Sequence, residues 1–295
     1  MDEMTVLVVG ANGDLGTRMA RAMHARGLRV RSGMRDPAKD DGTLSSLGEV
    51  VHADLAEPAS LRAACEDAQI VVSAVQGGPD VIVDGQGRLL EAAQAAGVAR
   101  LVPSDYSMDL FALEPGENWN SDYRRTFDQR LAASGQAYTN LLNGAFMEVI
   151  ISPFMEMIDL AAGTLSFWGD GQTPIDLTTM DDTAAFLAEI VCDPATLNRA
   201  VHVAGETLTM PEIAQAYQEA TGRTLTLHSK GSLAEGYAHL ERLKAAGTEL
   251  NRMLPIMYEL AMVSGKAKLA HVENARYPRI SPTGLAAFIR AQQLG

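Results

Sequence analysis

Two hydrophobic rhythms alternate through the first half of the chain. Short runs of consecutive apolar or β-branched residues have the character of strands buried on both faces of a parallel sheet: Thr5-Val6-Leu7-Val8-Val9, a second segment at 28–33, Glu49-Val50-Val51-His52-Ala53, Ile70-Val71-Val72-Ser73 and Arg100-Leu101-Val102-Pro103. Between them, apolar residues recur at helical spacing: Leu15, Met19, Ala22 and Met23 before Gly27, a short helix over 58–65, and a helix over 83–96 with Leu89, Leu90 and Ala93 on its inner face. Strand and helix in alternation predict an α/β fold, an open parallel sheet of Rossmann type with helices on both faces, right-handed crossovers and ligands outside the carboxyl ends of the strands.

The rhythm breaks after Phe146. Leu165-Ser166-Phe167-Trp168 reads as a strand before a Gly169-Asp170-Gly171 turn, and Asp181-Asp182 start a helix to about Val191. Val201-His202-Val203-Ala204 returns to the sheet, with His202 a packed strand residue. Thr209 and Glu212 form a capping box opening a helix that ends at Gly222. A short strand over 225–228 follows, and helical patterns fill 233–246, 249–263 and 282–292. The chain divides on this reading into a nucleotide domain, 1–146, and a smaller, mostly helical substrate lobe, 147–295, with 200–204 returning to the sheet.

The first crossover carries the most specific chemistry. Gly10-Ala11-Asn12-Gly13-Asp14-Leu15-Gly16 joins the first strand to the first helix. Gly10 can take a tight turn, Gly13 lets the backbone approach a diphosphate, and Gly16 lets the helix lie close to the sheet. The unpaired first-turn N–H groups and the positive end of the helix dipole favour an anion there. Asp14 is a helix-start residue pointing away from such a ligand.

The second strand sets the choice of dinucleotide. Sites that prefer NAD(H) carry an acidic residue about 20 residues beyond the glycines, whereas arginine accommodates a 2′-phosphate. Here the strand ends Ser32-Gly33-Met34-Arg35, with Lys39 shortly after, and Asp36 before Pro37 starts a turn. NADP(H) is favoured over NAD(H), the alternative being a solvated loop charge at Arg35. Asp54-Leu55 follows the third strand, where Asp54 either accepts from an adenine amino group or simply forms a turn. Ser73 and Ala74 leave room for the ribose beyond the fourth strand. Ser104-Asp105-Tyr106, past the fifth, falls near the nicotinamide, with Tyr106 either an acid or a packed aromatic whose hydroxyl is satisfied.

Charge and composition narrow the classes. A formal charge of −13 over 295 residues argues against nucleic acid or an anionic membrane as a general partner, and 47% hydrophobic residues suffice for a sizeable core. The start carries no basic n-region, and the apolar stretch 141–163 is interrupted by Asn143, Glu148, Glu156 and Asp159, so neither a signal peptide nor a membrane span is expected. Cys65 and Cys192 lack metal-ligand spacing and read as reduced core residues of a cytoplasmic protein, and no metal site is expected.

The glycine loop, the Arg35-Asp36-Pro37 strand end, Gly97-Val98 running into Val102-Pro103-Ser104-Asp105-Tyr106, Ser134-Gly135 before Tyr138-Thr139, Gly144-Ala145-Phe146 and the tail Ala275-Arg276-Tyr277-Pro278-Arg279-Ile280 together resemble the NmrA-like and isoflavone reductase-like branch of the atypical short-chain dehydrogenases. The resemblance implies that residues 10–16 hold the diphosphate of NADP(H), that Arg35 holds its 2′-phosphate, and that Gly144-Ala145-Phe146 borders the nicotinamide and substrate. Family reductases use a lysine on the helix after the Pro-Ser-Glu/Asp-aromatic segment as general acid or base. Counting back from Tyr138-Thr139, that position is Arg124, beside Arg125.

Arginine keeps its proton across the accessible pH range and is a poor proton shuttle, although it can stabilise developing oxyanion charge. None of the lysines, Lys39, Lys230, Lys244, Lys266 and Lys268, lies between the fifth and sixth strands, and no Tyr-x-x-x-Lys pair is present. The candidate polar groups around a reacting atom are therefore Arg124, Tyr106 and Asp105, unless the arginines form only a solvated helix face.

Two functions follow as expectations. One is an NADP-dependent reductase of a small, largely apolar carbonyl, quinone, enone or aryl-ether substrate, for which a homodimer is compatible. The other is a non-catalytic NADP(H) sensor of the NmrA type that reports to a protein partner.

Overall fold

A computed structural model describes residues 4–292. In chain order the elements are β1 (Thr5–Val9), α1 (Asp14–Ala25), β2 (Arg29–Met34), β3 (Gly48–His52), α2 (Pro58–Cys65), β4 (Ile70–Ser73), α3 (Gln86–Ala95), β5 (Arg100–Val102), α4 (Trp119–Ala133), β6 (Thr139–Leu142), β7 (Ala145–Phe146) and α5 (Met147–Ile150). There follow β8 (Ile158–Asp159), β9 (Thr164–Phe167), β10 (Ile175–Thr178), α6 (Met180–Ile190), β11 (Arg199–His202), β12 (Glu206–Leu208), α7 (Met210–Thr221), β13 (Thr226–Ser229), α8 (Leu233–Ala245), α9 (Leu250–Val263) and α10 (Leu285–Ala291).

The chain forms two compact units that interleave in sequence. The first runs to Tyr106 and is completed by Tyr123–Leu141 and Thr183–Val201; the second comprises Ser107–Asp122, Leu142–Asp182 and the chain from His202 onward.

In the first unit the parallel sheet has the order β3-β2-β1-β4-β5. The order reverses between β1 and β4, which pair in register from Val6 with Ile70 to Val9 with Ser73. A crevice at the carboxyl end of such a reversal is where open α/β sheets bind ligands. The β1 side chains are buried throughout, as the uninterrupted apolar run requires. Leu7, Val9 and Val71 meet Leu61 and Cys65 of α2, Leu89 and Ala93 of α3, and Phe127 and Leu131 of α4 in one continuous core. Beyond β5, Leu101 N donates to Ala137 O at 2.9 Å, and β6 pairs with β11. Buried Arg100 ties β5 to the turn after α6, donating to Ile190 O at 2.8 Å, Asp193 O at 3.0 Å and Thr196 Oγ1 at 3.2 Å. Cys65 is fully buried, whereas Cys192 sits half-buried in that turn, so only the first belongs to the core.

The second unit carries more strand than its sequence suggests. Its sheets have the orders β12-β10-β7 and β13-β9-β8. Strand β10, Ile-Asp-Leu-Thr, alternates apolar and polar residues for too short a span to stand out, yet all of it is buried. Met157, Leu165, Phe167, Ile175, Leu177, Met210, Ile213 and Phe288 make one core, and Leu240, Met253, Met257 and Leu260 make a second between α8 and α9. The Met and Phe residues after position 146 are chiefly core. Among the described residues, no helix is long and apolar enough to cross a membrane, and no cluster of His, Cys, Asp or Glu could hold a metal.

Candidate functional site

The glycine loop is built by close contact. Gly10 has φ +82°, and a Cβ there would stand 2.8 Å from Ala74 O; one on Gly16 would stand 2.2 Å from Gly10 O. Both positions exclude any side chain. Gly13 differs, since its Cβ would meet only Gly10 O at 3.3 Å and its backbone is extended, with φ −77° and ψ 164°. It is also exposed, like Asn12 and Asp14 beside it.

The N-terminus of α1 is open. Gly13 is its N-cap and no side chain caps it; the first bond of the helix runs from Thr17 N to Gly13 O at 2.9 Å. The three preceding N–H groups are left to whatever approaches the loop. Ala11 is buried, and its carbonyl accepts from Thr17 Oγ1 at 2.8 Å, which fixes the loop against the helix. Leu15 is half-buried on the inner side. Asp14 turns to Arg18, 3.0 Å away along the helix. Ser73 Oγ, next to Val9 across the sheet, is buried with no hydrogen-bond partner among the described residues, and Ala74 is half-buried beyond it. An exposed glycine, an uncapped helix and an orphaned hydroxyl at one sheet reversal fit a dinucleotide.

At the tip of β2, Arg35 is exposed. Asp36 caps the turn Pro37–Lys39 by accepting from Ala38 N at 3.2 Å, and Lys39 stands 3.6 Å from the same carboxylate. Asp54 takes the turn-forming part: Oδ1 accepts from Ala56 N at 2.8 Å, while its own N–H donates to Ser60 Oγ at 3.0 Å. Leu55 is held by Arg88, whose Nε donates to its carbonyl at 2.5 Å.

The segment after β5 has nearly all its polar groups committed. Ser104 N donates to Gln86 Oε1 at 3.0 Å, Ser104 Oγ to Val75 O at 2.7 Å, and Arg124 Nε donates to Ser104 O at 2.8 Å. Tyr106 is buried, its hydroxyl donating to Ser73 O at 3.1 Å. Burial first, and the charge of Asp105 second, push that phenol well above its ordinary range. Tyr106 is thus a packed aromatic with its proton in use, and its ring ties the end of β5 to the end of β4.

Asp105 is wholly buried, accepting at Oδ2 from Asn140 Nδ2 at 2.7 Å. The same nitrogen donates to Asp128 Oδ1 at 3.1 Å. Burial pushes Asp105 up to about 6, against the pull of Asn140 and Arg124. Asp128 is pushed well above the carboxylate range, by burial and then by the Asp105 charge. The structure therefore brings Arg124 to the segment of Ser104, Asp105 and Tyr106, with Gln86 behind it, and adds Asp128 and Asn140. Two signals could have found the additions: Asp128 follows Arg124 by one helical turn, and Asn140 is a polar residue inside an otherwise buried strand.

Phe146 lies in the second unit, half-buried in β7, where Ala145 pairs with Leu177 and Phe146 with Thr178 of β10. Gly144 before it has φ +71° and packs its Cα on the Asp176 backbone. Asp176 is buried and saturated, accepting from Thr207 Oγ1 at 2.7 Å, Leu269 N at 2.9 Å and Lys268 Nζ at 3.0 Å. Met108, Gly144, Ala145, Asp176, Met262 and Lys268 line a small pocket there.

This architecture has known counterparts. Pinoresinol reductase 1 of Arabidopsis thaliana is 30% identical to the chain over 251 residues, 76% of each sequence. Isoflavone reductase homolog P3 of the same plant is 27% identical over 241 residues, 76% of this chain and 77% of the relative. The binary complex of leucoanthocyanidin reductase with NADPH from Vitis vinifera shares the fold, with a TM-score of 0.82 at 20% identity over 98% of this chain and 99% of that one. Residues 2–252 match the model of the NmrA-like family, and the chain belongs to that family.

Proposed function

We propose that the first unit binds NADP(H) and that the protein is an NADPH-dependent reductase of a small, largely apolar carbonyl, quinone, enone or aryl-ether substrate. The observation that carries this reading is the open N-terminus of α1 behind an exposed Gly13 at the sheet reversal, with Arg35 at the next strand tip. The likeness to reductases over three quarters of the chain supports it. In this reading residues 10–16 hold the diphosphate, Arg35 the 2′-phosphate, Asp54 and Leu55 border the adenine, and Ser73 and Ala74 the ribose.

Bound NADPH supplies the hydride. The protein supplies position and charge: the segment 104–106 is fixed by its hydrogen bonds, and Arg124, half-buried beside it, stabilises negative charge developing on a substrate oxygen. With Tyr106 committed to Ser73 O and no lysine at position 124, the final proton comes from solvent.

That commitment also favours the second reading, a sensor that binds the dinucleotide, turns over nothing and reports to a protein partner. Steady NADPH consumption with a quinone and enone panel is expected for the reductase. Tight NADPH binding with no turnover on any member selects the sensor, and no affinity for either pyridine nucleotide refutes both.

A further inference from the structure

The reductase reading leaves Asp128 and Asn140 without a task. Asp128 stands one turn beyond Arg124, so both side chains leave α4 on one face and meet the same segment. Arg124 reaches Ser104 O, and Asn140 from β6 bridges Asp128 to Asp105, the next residue. The two carboxyl groups thus share one amide donor. All three bridged side chains are buried, and the outer oxygens, Asp105 Oδ1 and Asp128 Oδ2, have no hydrogen-bond partner among the described residues. Two buried carboxylates that share one donor and leave an oxygen each unpartnered do not both ionise, so one of them carries a proton.

We propose that Asp128 is a positioning residue which, with Asp105 and Asn140, keeps one proton inside the first unit and so holds a single negative charge against the Arg124 guanidinium. The functional value of this arrangement rests on the reductase reading of Arg124; the arrangement itself does not. The groups that act on the pair are Arg124 from the same helix and Tyr106 beside Asp105, a neutral phenol, while Asn140 is uncharged. With one proton on the pair, the cation and the remaining carboxylate balance. Protonating Asp105 leaves the guanidinium unopposed, and losing the Asp128 proton leaves an excess negative charge in the interior. The cation available to a developing oxyanion is thereby set by a carboxyl pair that touches no substrate.

The test uses the full chain labelled with 13C at aspartate carboxyls and 15N at arginine. At neutral pH a protonated-carboxyl signal is expected in infrared or NMR spectra of the unaltered protein and is expected to disappear in Asp128→Asn, which keeps an acceptor for Asn140. The Arg124 Nε resonance is expected to shift as pH crosses about 6, and not to shift in Asp105→Asn. Absence of a protonated carboxyl at neutral pH, its persistence in Asp128→Asn, or an Arg124 resonance indifferent to pH overturns the proposal. Should Asp128→Asn fail to fold, the spectrum of the unaltered protein and the Asp105→Asn titration still decide. None of these readouts needs cofactor or turnover, so their failure is distinguishable from failure of the reductase reading.

Discussion

Gly13 and Gly16 stand three positions apart in one loop and answer to different constraints. An alanine Cβ at Gly16 would stand 2.2 Å from the Gly10 carbonyl oxygen, whereas at Gly13 it would stand 3.3 Å from the same atom, a tight contact that a shift of a few tenths of an ångström relieves, in a backbone any residue adopts. Gly16→Ala is therefore expected to lower the free energy of unfolding by about 1–3 kcal/mol, read from chemical denaturation. Gly13→Ala is expected to cost less stability than Gly16→Ala and to weaken NADPH binding at least about tenfold, measured by titration calorimetry. Arg35→Ser is expected to cost NADPH about 1.5–3 kcal/mol and to leave NADH affinity nearly unchanged, since only the first carries a 2′-phosphate for a charge-assisted bond.

At this scale the loop glycines and Asp36 as a turn-former are readable from the sequence, because each depends on its immediate neighbours. The Asp105–Asn140–Asp128 bridge is not, since it joins a loop, a strand and a helix that only the tertiary fold brings together.

Elements whose ends carry local chemistry are legible to within a residue or two. The capping box at Thr209 forms as its spacing requires, and Gly222 closes the helix with φ +74°. Thr209→Ala is expected to cost about 1 kcal/mol in thermal or chemical unfolding. Helix α4 shows the opposite case. Its N-terminus at Trp119 is set by Asn118, buried in the preceding loop, which accepts from Ser121 N at 3.1 Å. An asparagine between other polar loop residues does not advertise itself as a cap. Strand β10 escapes notice for a related reason: four residues give too little alternation to read, and its aspartate is buried only because Lys268, Thr207 and Leu269 satisfy it.

In the second unit, Glu259 of α9 is buried and pairs with Lys230 at 2.7 Å. Lys230→Met removes the partner of a desolvated carboxylate and is expected to destabilise by about 3–5 kcal/mol. Glu259→Gln in the same background is expected to restore part of that loss.

Across the molecule, three buried carboxyls among the described residues lie above their ordinary values: Asp105, Asp128 and Glu259, burial being the first cause in each. A raised folded value means that the folded state binds the proton more tightly than the unfolded chain. The stability this contributes is fully present below the ordinary carboxylate range and is lost as pH rises through the folded values, about 6 for Asp105. Melting temperature is expected to fall over that window, and Asp128→Asn to flatten the fall. A profile that rises across the window contradicts the burial of the pair.

The general fold was open to a reader of the sequence because the alternation of strand and helix recurs over a hundred residues. The partition of the chain was not, because Arg100, early in the sequence, bonds to carbonyls at positions 190 and 193. A nascent chain leaving the ribosome has its glycine loop and five-stranded sheet long before it has α6 and β11 to close them. Until residues 183–201 emerge, the Arg100 guanidinium lacks the acceptors at Ile190, Asp193 and Thr196, and the sheet waits on a segment far along the chain. A fragment ending at residue 146 is accordingly expected to expose apolar surface and to need a chaperone, where one ending near 201 keeps the cap on β5.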